Sequence, residues 1–161
     1  MCWRGKIENK HTAKNDIKTF KVCRITPDKK IKPYYKINGD IKIYKEGETY
    51  YSPFGVTYTG SDYIKIDSGL HSYKIYNESI DEDTYCGCDS FVVLKSLSTY
   101  EGVNARIVLC TIPKGSKYYI NDEGEIVSNC IVINKVIKSR VAYDNIKEIN
   151  DKIISFKLHD V

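Results

Sequence analysis

Residues 104–137 read NARIVLCTIPKGSKYYINDEGEIVSNCIVINKVI, and this stretch decides the fold. Ile107 to Ile112 is a run of β-formers that stops at Pro113-Lys114-Gly115, a turn sequence. A second short strand is expected after it, then a glycine turn, and Ile131 to Ile137 is a third, strongly apolar strand. The pattern predicts a meander with residues 105–112 and 130–138 in one sheet and Ile107, Leu109, Ile131 and Ile133 buried.

Outward from that stretch, Ile17 to Ile25 (IKTFKVCRI) alternates in strand fashion and is expected to turn Phe20 and Val22 inward. Asn38-Gly39 is a hairpin-type dipeptide. Short strands are expected over Asp40 to Tyr44 and Thr49 to Tyr51, with further alternation from Val56 to Ile66 around Thr59-Gly60-Ser61. Ser79 is a candidate cap for a short helix. Ser90 to Leu97 reads equally as helix or buried strand, and Tyr143 to Ile153 carries helical spacing at Ile146, Ile149 and Ile153. Residues 1–16 and 77–103 are the least regular parts. With 161 residues, 42% hydrophobic and 29% charged, the chain suits one hydrophobic core. The expected fold is a single α+β domain spanning 1–161, with a mostly antiparallel twisted sheet and one to three packed helices. Its core should contain Phe20, Val22, Ile107, Leu109, Ile112, Ile131, Ile133 and Val136.

No stretch of about 18 apolar residues is present to span a membrane. The N-terminus has no apolar core of the secretory kind, which points to a cytoplasmic protein whose six cysteines are reduced. Cys86-Gly87-Cys88 is the most metal-like local feature. Its spacing is tight for zinc, and Cys2, His11, His71 and His159 would have to complete it through folding, so neither a metal nor another cofactor is expected.

Net charge is +4, and the chain has 14 tyrosines. Basic and aromatic side chains together neutralise phosphate and stack on rings. Lys114, Lys117 and Tyr118 form one such region. Arg24 and His71 would supply positive or donor groups at the ends of their strands, and Tyr73 a stacking face. These six residues are the expected ligand contacts. No RNA-recognition, helix-turn-helix, phosphate-loop or dinucleotide signature occurs, which points away from a nucleic-acid polymer. The expected partner is a small anionic ligand such as a nucleotide, or a protein; a structural, virion-associated protein that binds only protein is an alternative class.

Met1-Cys2, AKNDIKTFKV at 13–22, GLHSY at 69–73, CTIPKGSKYY at 110–119 and GEIVSNCIVI at 124–133 occur in an order that resembles a group of small uncharacterised proteins of gut bacteria and their phages. The resemblance implies a phage or mobile-element origin, action in the host cytosol and a small α+β fold; sequestering a host immune nucleotide, as a host-defence antagonist, would fit it. More loosely, Arg24 on an early strand, Ser72 after a glycine turn, and Ile112-Pro113-Lys114-Gly115 ahead of Glu125 are similar to ADP-ribosyltransferases. That likeness implies nicotinamide-ribose binding by Arg24 and Ser72, and oxocarbenium stabilisation by Glu125. The chain departs from the pattern: Glu123-Gly124-Glu125 falls in a glycine turn, and the Ser-Thr-Ser motif is missing.

Overall fold

The computed structural model describes residues 3–34, 43–58, 62–76, 89–99 and 104–159. Cys2, Asn38-Gly39, residues 40–42, Thr59-Gly60-Ser61, Ser79 and Cys86 to Cys88 lie outside the described residues. In chain order the strands are β1 (Trp3–Lys6), β2 (Lys10–Thr12), β3 (Ile17–Ile25), β4 (Ile31–Pro33), β5 (Thr49–Tyr51), β6 (Gly55–Tyr58), β7 (Tyr63–Ser68), β8 (Leu70–Lys74), β9 (Ala105–Ile112), β10 (Lys117–Ile120), β11 (Glu125–Ser128) and β12 (Cys130–Val136). The helices are α1 (Ser90–Ser98) and α2 (Ile146–Leu158). Among the described residues, two β-sheets and two α-helices make an α+β fold. Residues 1–16, expected to be irregular, hold β1 and β2.

The large sheet has the order β2-β10-β11-β8-β3-β9-β12-β5, with β4 added to β3. All its pairs are antiparallel. Its centre is a long ladder running from Arg24↔Ala105 to Ile17↔Ile112 and resuming at Thr12↔Lys117. Between the two halves, Ala13 N–H donates to the Ser116 carbonyl and Gly115 N–H to the Ala13 carbonyl, both at 2.8 Å. The turn after Ile112 therefore bends the chain without reversing it, and Gly115 takes the left-handed φ of 90° that the bend requires. This corrects the expected meander: β9 and β10 keep one common partner, residues 10–25, and do not pair with each other. Beyond the bend β10 pairs with β11, β11 with β8 and β8 with β3, so the sheet curls back on itself. Asn129 then separates β11 from β12, which returns to lie beside β9.

Both faces of the large sheet are buried. Phe20, Ile107 and Leu109 pack under α1 and α2. Cys23, Val108, Cys110, Ile131 and Ile133 form a separate core on the other face, closed by Ile31 and Tyr44. Strand alternation accounts for the division, because neighbours along β9 point oppositely. Of the expected core, Val22 and Val136 are only half-buried, and the rest is fully buried. Ser90 to Leu97 is helical because Asp89 caps it, accepting the Phe91 N–H at 2.9 Å. The two helices are joined by a buried hydrogen bond from Ser90 Oγ to Asn150 Oδ1. Cys23, Cys110 and Cys130 are buried cysteines outside any disulfide, and burial pushes the Cys110 thiol well above its ordinary pKa. No described helix is long and apolar enough to cross a membrane.

A second sheet, β1-β7-β6, lays Trp3, Ile64 and Ile66 against Tyr119 and Val127 of the large sheet. Gly69 (φ 128°) carries the chain from one sheet to the other; a Cβ there would sit 2.6 Å from Val127 Cγ2.

Candidate functional site

β1 alternates with Trp3 and Gly5 inward and Arg4 and Lys6 exposed. The Trp3 ring folds back across its own strand, and a Cβ on Gly5 would fall 2.3 Å from that ring. The indole Nε1 donates to the Glu125 carbonyl oxygen at 2.8 Å. The free edge of the small sheet is thereby held against the β10–β11 hairpin.

The hairpin turn is organised by Asn121. Its Oδ1 accepts the N–H groups of Glu123 (3.1 Å) and Glu125 (3.0 Å), and its Nδ2 donates to the Arg4 carbonyl (3.2 Å) and to Glu125 Oε1 (3.4 Å). An Asx-type turn of this kind fixes the backbone with a side chain. Between strand edge and turn lies a cleft of about 380 Å³ lined by Arg4, Gly5, Lys6, Asn9, Tyr63, Asn121, Asp122, Glu123 and Glu125. Tyr63 stands directly opposite Lys6 on the neighbouring strand.

Glu125 is half-buried, and its pKa is raised above the ordinary glutamate value. Burial is the main cause, followed by a hydrogen bond shared with Glu123; the bond from Asn121 opposes the shift, and the charge of Glu123 adds to it.

The residues singled out in the sequence are not gathered in this cleft, apart from Glu125. Arg24 is exposed on β3, opposite Ala105 and Lys32. The His71 ring is half-buried, with Nε2 lacking a hydrogen-bond partner. Burial, then the charge of Lys21, lowers its pKa to about 3. Tyr73 packs on Phe20 with ring centroids 5.2 Å apart. Lys117 and Tyr118 are neighbours on β10 and project from opposite faces, Lys117 toward Thr12 and Tyr118 stacked on His11, while Lys114 lies in the turn before the strand.

Arg24, Ser72 and Glu125 do not converge. Glu125 pairs with Tyr73 and Ile126 with Ser72, so Ser72 and Glu125 project from opposite faces, and the Ser72 hydroxyl is buried. Arg4, Lys6 and Asn121 were missed in the sequence. The signal for the first two was the alternation in Trp3-Arg4-Gly5-Lys6; for the third it was an Asn placed three residues before a turn glycine.

Among the described residues no group of three or more His, Cys, Asp or Glu could hold a metal ion. No family model matches the chain, and no curated protein or solved structure is significantly similar to it.

Proposed function

We propose that this chain is a binding protein for a small phosphate ester rich in hydroxyls, a nucleotide or sugar phosphate in chemical class, held in the cleft beside β1. The observation that carries this reading is the two-sided polarity of the cleft: Arg4, Lys6 and Tyr63 on one wall, Asn121, Glu123 and Glu125 on the other. Its volume is within the usual range for small-molecule sites, about 300–1,000 Å³.

Charge narrows the ligand. Three carboxyl groups (Asp122, Glu123, Glu125) line the cleft against two cations (Arg4, Lys6). A bare anion would meet net repulsion, whereas a phosphate ester offers its anionic end to Arg4 and Lys6 and its hydroxyls to the carboxylates and Asn121. Tyr63, 54% exposed, gives a ring face for a base or sugar. A half-buried glutamate held beside a second one at electrostatic cost is the kind of feature that ligand sites retain. Taken with the resemblance to proteins of gut bacteria and their phages, this reading extends to sequestration of a host nucleotide signal.

Calorimetry with a panel of mononucleotides and sugar phosphates tests the proposal. Arg4→Ala should weaken binding at least tenfold while the fold is kept, and affinity should fall as salt rises. A panel with no binder at millimolar concentration overturns it.

A further inference from the structure

Thr19 and Ser72 are fully buried polar side chains inside the curl of the large sheet. Thr19 of β3 pairs with Lys74 of β8, and Phe20 with Tyr73. Ser72 lies two residues before Lys74, so it projects from the same face as Thr19 and sits diagonally across the strand pair. That face is the one lined by Cys23, Leu70 and Cys110, away from the helices. Neither hydroxyl oxygen has a hydrogen-bond partner in the protein. Ser128, opposite Leu70 and also buried on that face, donates its hydroxyl to the Leu70 carbonyl at 3.4 Å. Buried hydroxyls are paired in folded proteins as a rule, and two orphans on adjacent strands call for a shared partner.

We propose that one internal water molecule binds between β3 and β8, bridging Thr19 Oγ1 and Ser72 Oγ. Diagonal neighbours on one face of an antiparallel pair stand about 7 Å apart. Both hydroxyls reach inward from there, and a water spans the remainder with two O–H···O bonds of about 2.8 Å each. Internal waters make about three hydrogen bonds. Cys110, directly opposite Thr19 on β9, offers its sulfur as a weak third partner. The water has a structural role at this position. The ladder between β3 and β8 holds two residue pairs, and just past it the Lys21 ammonium donates to the His71 carbonyl. A side chain therefore ties the two strands where the backbone ladder stops, and the water is the second such tie. The site is independent of the cleft beside β1, so failure of nucleotide binding there leaves it standing.

A crystal structure of the full chain, with urea denaturation of Thr19→Val, Ser72→Ala and the double variant, tests the proposal. The parent should show one water within about 3 Å of both oxygens. Each single substitution should lower the folding equilibrium constant roughly 2- to 10-fold. The double variant should lose less than the product of the two, because the bridge is already broken by the first. No water between the two oxygens overturns the proposal. So does a Thr19→Val variant more stable than the parent, the result expected of a hydroxyl buried dry and unpaired. A double variant whose loss equals the product of the single losses also overturns it, since the two hydroxyls would then act separately.

Discussion

Trp3 donates its indole N–H to the backbone carbonyl of Glu125, 122 residues away, at 2.8 Å. That bond locks the edge of the small sheet to the turn carrying the paired glutamates, and the cleft exists because the two are held together. Trp3→Phe keeps much of the ring packing against Tyr119 (5.5 Å) and removes the donor. It should cost about 0.5–1.5 kcal/mol, the net worth of one hydrogen bond, because the Glu125 carbonyl keeps the Asn121 backbone N–H at 3.1 Å, and it should weaken ligand binding in parallel. Urea denaturation and calorimetry on the same variant check both.

Ile133 is fully buried in the core opposite the helices, paired with Cys110. Ile133→Ala should cost about 2–5 kcal/mol in chemical denaturation. A loss near zero would contradict the packing of this face.

The Glu125 shift fixes the sign of a pH effect. Its folded pKa lies above the unfolded value of 4.5, so the folded state binds the proton more readily. The associated stability is present below pH 4.5 and is lost as pH rises through the folded pKa. Glu125→Gln should therefore be more stable than the parent at pH 7, with the difference vanishing below pH 4.5. Thermal melts at both pH values measure it; a variant less stable at pH 7 would contradict the assignment.

For His71 the shift runs downward, from 6.5 to about 3. The unfolded chain takes up a proton below pH 6.5 that the folded chain refuses until about 3. Stability is full above pH 6.5 and declines as pH falls through that window, by at most about 1.4 kcal/mol per unit. His71→Gln should flatten the decline between pH 6.5 and 5, where carboxyl titration contributes little, and denaturation across that range tests it.

Strand content was legible where alternation was long, as in Ile17–Ile25, and where apolar runs were bounded by turns, as in Ala105–Ile112. Topology was not. Pro113-Lys114-Gly115 carries the chemistry of a reversing turn, and only the bonds of Ala13 to Gly115 and Ser116 make it a bend in a continuous ladder. Sequence distance hid those partners. The cleft was obscure for the same reason: β1 has four residues, and Arg4 and Lys6 meet Glu125 only through the tertiary contact of Trp3. Glu125 was singled out on a resemblance, and the structure places it in a cleft beside neither Arg24 nor Ser72.

The central claim is that Arg4, Lys6 and Glu125 share one ligand. It is tested most directly by calorimetric titration of a mononucleotide panel into the parent chain and into Arg4→Ala, Lys6→Ala and Glu125→Gln at pH 7. The account predicts one-site binding that is weakened at least tenfold by either cation substitution and changed in ligand preference by Glu125→Gln. Binding that persists unchanged in all three variants, or no binding by the parent to any member of the panel, would contradict it.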